Sequence, residues 1–406
     1  MLAPLLSVRT LLLAIFMIMV GSGFLSTLIA IRLEQDGASA LTIGLAATAY
    51  FGGQTIGSLQ APKLIARIGH IRAFSVFVSL FSASSLAYAI VTNAALWTML
   101  RFIDGFVMSG VFVCLESWLN RQASPTTRST ILASYMIVLY GGQAGGQFLL
   151  NLNDIAPSLP FMLSAILLSL AVLPVALTRM EQPAVEKLAP FSPRRLYSAS
   201  PLGIVGTIAT GGMLGAFYAL GAVYVSRTGM GLSQVALFTS IVIAGGVALQ
   251  WPLGMLSDRL DRRKVILGCF AMVVALCAAL YAVAGLAFAT IALGALFGGF
   301  TFALYPLCVA HSNDHLEEDE RVGASGGLVL AYSVGALVGP MLGSAGMLLL
   351  GPGGLFAMIG AIAFGAFLFG LWRLAQSAPV PEADQQSFSA LPRTTPMVAV
   401  LEEEES

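Results

Sequence analysis

The sequence ALWTMLRFIDGFVMSGVFVCLESWLN, residues 95–120, decides the fold class, because it is mostly apolar and long enough to cross a bilayer. Three charged residues interrupt it: Arg101, Asp104 and Glu116. A charge near the bilayer centre costs about 2.5–3.5 kcal/mol on insertion scales, so such residues usually face protein or water and mark a pathway. At about 100° per residue, these charges share one helix face with Met108. We therefore predict a membrane helix whose charged face lines a pathway.

The composition of the whole chain indicates an integral membrane protein. Its 406 residues are 57% hydrophobic and only 10% charged, whereas a soluble domain has about 25% charged residues. The 20 basic and 20 acidic residues balance, which gives nucleic-acid binding no electrostatic support. The four cysteines lie in apolar runs, and we interpret them as small buried residues rather than metal or redox groups.

Twelve segments are apolar over about 20 residues, the length that crosses a bilayer. The first resembles a signal-peptide core but continues to Ile31 without a convincing cleavage site. We interpret it as a membrane helix, with a cleaved signal as the alternative. The predicted spans are 9–31, 41–61, 73–92, 95–119, 129–151, 158–178, 201–225, 232–256, 264–284, 286–310, 321–347 and 352–374.

The distribution of basic residues predicts the orientation and the domain limits. With both termini in the cytoplasm, the loop Lys and Arg residues fall on the cytoplasmic side, apart from Arg32 and Arg227. The longest internal connection, 179–200, is rich in proline and basic residues and separates six-helix halves at 1–178 and 201–374. After residue 374 the composition shifts to proline and glutamate, so we expect a disordered, acidic cytoplasmic tail over 375–406.

The two halves repeat at an offset of about 192 residues. Pro62–Arg72, after the second span, matches Gly254–Lys264, after the eighth. Gly142-x-x-x-Gly146 matches Gly335-x-x-x-Gly339. Transporters are commonly built from such repeats, with the substrate site at their interface near the midplane. The predicted fold class is an all-α membrane protein with twelve transmembrane helices in two pseudo-symmetric six-helix bundles.

Two motifs resemble the major facilitator superfamily. Gly254-Met-Leu-Ser-Asp-Arg-Leu-Asp-Arg-Arg-Lys264 looks like the GxxxDRxGRR loop of that family, and Arg101-Phe-Ile-Asp104-Gly105 is similar to its RxxxG signature. Together with Glu116–Asn120 and the segment Tyr305–Asp314, they look most like the YcaD-like bacterial branch. The resemblance covers about residues 9–374. It implies a transporter whose fourth helix lines the cavity, and a gating loop that latches the outward-facing state, formed by Gly254, Asp258, Arg259, Arg262 and Arg263.

The sequence also departs from the family pattern. The first-half loop has Pro62 and Ala66 where the motif has glycine and aspartate, so any gating charge contact must rest on the second half. The antiporter Gly-Pro pair is absent from helix five, which reads Gly146-Gln147. In the second-half loop, we expect Asp258 either to cap the following turn or to pair with Arg259 or Arg263.

Each candidate pathway residue also has a structural interpretation. Arg101 and Asp104, three residues apart, can form an ion pair. The pair either binds substrate or a proton in the cavity, or only stabilises helix packing. Glu116 lies about 22 Å further along the helix. It is either a protonatable group at the inner mouth or an interfacial carboxylate that meets a loop arginine. The aromatic candidates, which either line the cavity with Met108 or pack between helices, are Phe217, Tyr218, Phe297 and Tyr305.

The predicted function is transport rather than catalysis. The sequence has no GxxxxGK[ST] phosphate loop and no HExxH zinc motif, so we expect no enzymatic activity, no cofactor and no metal. We predict a secondary active transporter of a small organic solute that works by alternating access. We expect it to be coupled to protons and to act as a monomer in the lipid bilayer of the inner (cytoplasmic) membrane. An uncoupled facilitator, or a receptor or scaffold with the same fold, is the alternative.

Overall fold

A computed structural model describes residues 3–124, 126–178, 192–376, 380–381, 385–386 and 388–395. Within them the chain forms helices joined by short turns. The first half contains α1 (Ala3–Ser22), α2 (Leu25–Gln35), α3 (Ala40–Ile68), α4 (His70–Ile90), α5 (Ala94–Gln122), α6 (Arg128–Gly146), a 3₁₀ helix (Gln147–Asp154) and α7 (Leu159–Ala176). The second half contains α8 (Pro193–Ala199), α9 (Pro201–Arg227), α10 (Leu232–Arg259), α11 (Arg262–Ala282), α12 (Ala287–Asn313), α13 (Glu318–Leu350) and α14 (Gly354–Leu374).

These helices match the twelve predicted spans. Ten stretches of the described chain are helices long and apolar enough to cross a membrane. The other two spans are α3, with 29 residues, and α6 with its 3₁₀ extension. The first span differs in detail from the prediction, because a turn at Gly23 divides it into α1 and α2. A side chain at Gly23 would collide with Gln143 of α6, so the glycine permits close packing there.

The predicted repeat is visible in how each bundle packs. The first helix packs on the fifth in both bundles, as α1 on α6 and α9 on α13. Gly146 faces the carbonyl oxygen of Val20, and its counterpart Gly339 faces that of Gly212. A side chain on either glycine would collide with that backbone. The two GxxxG motifs therefore set the same close helix spacing in each half, and the protein is an all-α membrane protein with two pseudo-symmetric six-helix bundles.

The two membrane faces carry different residues. We call one the basic face, because Arg67, Arg121 and Arg259 end their helices there. The opposite face carries the turns that contain Gly37 and Gly229, which occupy equivalent positions in the repeat. Both glycines have positive φ angles, 79° and 85°, a backbone conformation that costs glycine little.

Direct contacts join the two bundles on the side of the opposite face. Arg227 of α9 donates two hydrogen bonds to the Glu34 carboxylate of α2, at 2.7 and 2.8 Å. The Ser344 hydroxyl of α13 donates to the Ala40 carbonyl oxygen of α3 at 2.8 Å. Two turns further into the membrane, the Thr48 hydroxyl donates to the Leu337 carbonyl oxygen at 3.1 Å. The space between the bundles is thus closed at this face.

The tail reaches the basic side of the same space. We predicted disorder for the whole tail, yet residues 388–395 lie between the bundles, where Leu391 and Thr395 are buried. The prediction fails for this segment because amino-acid composition indicates only how an isolated segment would interact with water. It does not show that the chain's own bundles offer partners to the tail. The acidic residues 402–405, like most of the central loop at 179–191, lie outside the described residues.

Candidate functional site

A cavity lies between the two bundles, with an empty volume of about 1020 Å³ that includes its mouth. Helices from both halves contribute aromatic, amide and hydroxyl side chains to its wall. Of the described residues that line it, the one charged side chain belongs to Arg393 of the tail. The polar and aromatic residues of the wall are Ser22, Ser26, Tyr50, Phe51, Gln54, Ser58, Phe112, Tyr140, Gln143, Tyr218, Tyr332, Ser333 and Thr394.

Arg101 occupies a smaller space that adjoins this cavity toward the opposite face. Helix α5 places it there; the helix begins where the Asn93 side chain accepts a hydrogen bond from the Leu96 amide at 3.0 Å. The guanidinium is buried, lies 4.1 Å from the centroid of the Tyr50 ring and donates to the Ser26 hydroxyl at 2.7 Å. Arg101 therefore links α5 to the first two spans.

Asp104 lies behind Arg101, inside the first bundle. Its Oδ2 atom is 3.7 Å from Nη1 of Arg101 and accepts a hydrogen bond from the Tyr88 hydroxyl at 2.6 Å. The carboxylate is fully buried. The internal pair that the spacing suggested is therefore present. Asp104 reaches the cavity through Arg101 rather than by lining the wall.

Glu116 is also fully buried, near the basic end of α5. The Tyr135 hydroxyl of α6 donates to its Oε1 atom at 2.6 Å. The hydroxyls of Thr394 and Thr395 in the tail donate to its two carboxylate oxygens. Among the described residues, these hydroxyls are its hydrogen-bond partners, so the interfacial contact with a loop arginine is not observed. Glu116 is instead the point where the tail attaches to the first bundle.

The candidate gating loop holds the other end of the tail segment. Arg262 is buried and donates to both oxygens of Asp314, at 2.8 and 2.7 Å, and to Asp258 at 2.8 Å. Asp258 accepts the Phe388 amide at 3.0 Å. Asp314 accepts the Gln386 amide at 2.9 Å. Asp258 of the gating loop and Asp314 at the end of α12 thus bind the backbone of the tail.

The predicted pairing of Asp258 with Arg259 or Arg263 is wrong. Arg262 begins α11, four residues after Asp258 and across the turn that ends α10, and it reaches Asp258, whereas Arg259 is exposed. Arg263 pairs with Asp261, whose side chain also accepts the Arg263 amide at 3.1 Å and so caps α11. Partial burial opposes this, but the hydrogen bonds and charge of Arg263 lower the pKa of Asp261 below its ordinary value.

Gly254 has a role that its motif does not reveal. The Phe388 ring of the tail lies directly over it, so that any side chain at position 254 would collide with the ring. The glycine that opens the motif therefore leaves room for the tail to cross the end of α10.

The structure separates the aromatic candidates into two groups. Met108 and Tyr218 line the cavity, and the Tyr305 ring packs 5.6 Å from that of Tyr332, a wall residue. Phe217 and Phe297 differ from the expectation. They pack against each other inside the second bundle, with 5.7 Å between ring centroids, and neither lines the cavity.

Sequence reasoning missed several wall residues. Tyr50, Tyr140 and Tyr332 face the cavity from α3, α6 and α13, but isolated tyrosines in apolar helices give no sign of the direction they face. The amides Gln54 and Gln143 are polar within spans, and that polarity is the signal that could have placed them in the wall.

Arg393 is the largest omission. Its guanidinium lies 4.4 Å from the Phe302 centroid, 5.6 Å from that of Tyr332 and 5.8 Å from that of Tyr218. It also donates to the Tyr218 hydroxyl at 3.1 Å. We call these three rings the aromatic cage. Prediction from apolar spans could not place Arg393 in the cavity, because it lies outside every predicted span.

Comparison with known proteins supports the same architecture. The sequence pattern of the Major Facilitator Superfamily matches residues 11–251 and 202–401. An uncharacterized MFS-type transporter of Enterobacter sp. (strain 638) is 30% identical over 363 residues, which cover 88% of this chain and 93% of the relative. The uncharacterized MFS-type transporter YcaD of Salmonella newport (strain SL254) is 29% identical, over 93% of this chain and 98% of the relative.

Among solved structures, the nucleoside transporter NupG is similar, with a TM-score of 0.76 and 12% identity over 90% of this chain and 99% of that one. At this identity the likeness concerns the fold alone. The cavity between two repeated bundles, the loop after α10 and these matches lead to one conclusion: the chain belongs to the Major Facilitator Superfamily and is related to MFS-type transporters.

Proposed function

We propose that the protein is a secondary active transporter that moves a small organic solute by alternating access. The observation that carries this proposal is the cavity between the bundles, closed by direct bundle contacts at the opposite face and filled by the tail toward the basic face. A solute site that each face can reach in turn requires this arrangement. Since both bundles come from one chain, a monomer suffices.

The Glu34–Arg227 pair serves in this proposal as a latch for the state closed at the opposite face. It joins the first and second bundles through two parallel hydrogen bonds, a geometry that adds specificity as well as energy. Opening at that face requires the pair to separate. Closing at the basic face requires the tail to leave the space between the bundles.

We further propose that transport is coupled to protons, with Asp104 and Glu116 as the proton-carrying groups. Both are buried carboxylates that lie on one transmembrane helix beside the cavity. Buried acids inside a membrane segment are costly and serve proton relays in transporters. Protonation of Asp104 would affect the cavity through its ion-pair partner Arg101. Protonation of Glu116 would affect the cavity through the tail threonines that bind it.

The positive-inside rule supports an inner-membrane location with the basic face in the cytoplasm. The exposed positions Asp36 and Arg259 lie at the opposite and basic faces, respectively. With a membrane-impermeant maleimide on intact cells, Asp36→Cys should react, and Arg259→Cys should react only after permeabilisation. The reverse pattern would invert the proposed topology.

Counterflow in proteoliposomes tests transport itself. Vesicles loaded with an unlabelled nucleoside, sugar, amino acid or organic amine are diluted into the labelled compound, and a transporter gives transient accumulation. Exchange of at least one solute is expected. Binding of a solute without exchange of any would favour the receptor alternative.

Coupling is tested with the same vesicles and a pH gradient. Collapsing the gradient should abolish net accumulation, while exchange continues. Asp104→Asn, which keeps an acceptor for Tyr88, should also lose gradient-driven accumulation, whereas the exposed control Asp36→Asn should not. Accumulation that ignores the gradient would instead identify an uncoupled facilitator.

A further inference from the structure

We propose that the aromatic cage of Tyr218, Phe302 and Tyr332 is a subsite for the cationic group of an organic cation. Arg393 of the chain's own tail occupies this subsite as an internal competitor. The inference rests on the proposed transport function only in naming the cavity as the solute site. Binding and exchange are separate properties, so either proposal can fail without the other.

The geometry of the cage suits a cation. Three rings from α9, α12 and α13 lie within 6 Å of one guanidinium, which is the range of a cation–π interaction. Cages of this kind recognise alkylammonium groups, because each ring presents its electron-rich face. Two of the three rings, Tyr218 and Tyr332, belong to the cavity wall. A ligand that filled the cavity would therefore meet the cage.

The charges around the cavity favour the same ligand class. On the helices, Arg101 lies beside Asp104 and their charges offset each other. Glu116 has hydroxyl partners among the described residues, and two of these come from the tail. When the tail leaves, Glu116 keeps the hydrogen bond from the Tyr135 hydroxyl, and both of its carboxylate oxygens lose their threonine donors. The vacated site then combines aromatic faces with a buried acid.

The tail is built to be displaced. Near the gating loop, its described hydrogen bonds use backbone groups: the Gln386 and Phe388 amides donate to Asp314 and Asp258, and the Gln386 carbonyl oxygen accepts from Arg262 at 2.7 Å. Its attachments to Glu116 are threonine hydroxyls. Water can replace each of these tail donors and acceptors, so release of the tail costs less than the separation of packed helices. Among the described tail residues, Arg393 is the one whose side chain carries a charge into the cage.

Binding of phenyltrimethylammonium, measured by isothermal titration calorimetry on the purified full chain, tests the proposal. Arg393→Ala should bind this cation at least tenfold more tightly than the unaltered protein, because the competitor is gone. Arg393→Lys keeps a cation at this position and should bind it no more tightly than the unaltered protein. Arg373→Ala removes an arginine near the tail's origin and should leave the affinity unchanged.

Two controls distinguish binding of the cation in the cage from a general gain in the access of compounds to the cavity. tert-Butylbenzene, the neutral isostere, should gain less than twofold in affinity from Arg393→Ala. Adding Phe302→Leu to Arg393→Ala should cancel the gain for the cation. An equal gain for both compounds, or no gain in a protein that melts like the unaltered chain, would overturn the proposal.

Exchange assays separate this inference from the transport proposal. If Arg393→Ala exchanges another solute in counterflow but binds no cation, the cage inference fails and transport stands. If it binds the cation as expected but exchanges no solute, transport fails and the cage stands.

Discussion

The two faces of the molecule hold the bundles together by different means. At the opposite face the bundles contact each other directly, through Glu34 and Arg227 and through the Ser344 hydroxyl. At the basic face, the described hydrogen bonds that bridge the bundles pass through the tail, from Asp258 on one side to Glu116 on the other. One closure is made by packed helices, whereas the other is made by the tail, which we propose leaves the space between the bundles. Because the Glu34–Arg227 and Ser344 contacts do not include the tail, we expect removal of the tail to open the basic face while the opposite face stays closed.

The largest effect is expected when one charge of the Glu34–Arg227 pair is reversed. Glu34→Arg places two guanidinium groups where an ion pair joins the bundles. The pair is partly exposed, so its own contribution is about 1 kcal/mol or less, but like charges at this distance add repulsion of a similar size. We expect the population open at the opposite face to rise at least tenfold, measured as maleimide labelling of Thr48→Cys from that side.

The charge-swapped double variant supplies the control for this prediction. Glu34→Arg combined with Arg227→Glu restores an ion pair with the opposite polarity, so labelling of Thr48→Cys should return toward the original rate. If the double variant labels as fast as the single one, the ion pair is not the latch.

A somewhat smaller effect is expected from removing the tail. Deleting residues 377–406 should expose the cavity to the basic face without altering the opposite one. A cysteine at Ser58, a wall residue, should then label from the basic face several-fold faster. The four native cysteines are buried and give little background.

The matched measurement for this deletion is Thr48→Cys, labelled from the opposite face. Its rate should stay within twofold of the full-length value. Equal acceleration at both positions would mean that the tail supports the whole fold rather than one opening.

A few-fold effect is expected at the gating loop. Asp258→Asn keeps an oxygen that can accept the Phe388 amide but loses the charge that pairs with Arg262. The tail should therefore dissociate more readily, and Ser58→Cys should label about two- to fivefold faster. In the tail-deleted protein the same substitution should change nothing, which separates a docking role from a folding role.

The smallest effect is expected at Asp261, which caps α11 without touching the tail in the described contacts. Asp261→Ala should lower stability by about 1 kcal/mol at neutral pH, seen as a lower melting temperature in detergent. Because Arg263 lowers the folded-state pKa of Asp261, this contribution is present above its unfolded pKa. It is lost as the pH falls through the lowered value. Labelling at either face should be unaffected.

The fold could be predicted largely from the sequence. The length of the apolar segments predicted where the spans lie. For example, the predicted span 201–225 corresponds to α9, Pro201–Arg227. The repeat predicted equivalent packing in both halves, which the two GxxxG motifs confirm. The spacing of Arg101 and Asp104 predicted their pair, because residues three apart share a helix face. All of these depend on local periodicity.

The remainder depended on information that periodicity does not carry. Phe217 and Tyr218 are adjacent and point about 100° apart, so only the helix rotation in the bundle decides that Tyr218 faces the cavity. Arg262 was predicted to belong to the gating loop, but its partner Asp314 could not be predicted, because it lies 52 residues away in sequence. The tail was judged by composition, and its hydrogen-bond partners in the bundles lie 72 to 279 residues upstream in sequence.

Distances across both faces, measured by double electron–electron resonance, test the central claim most directly. Spin labels at Arg67→Cys and Arg259→Cys span the basic face, and labels at Asp36→Cys and Thr228→Cys span the opposite face. On deletion of residues 377–406, the basic-face distribution should shift or broaden, while the opposite-face distribution should keep its mean and width. A change at the opposite face alone, or no change at either face, would contradict the account.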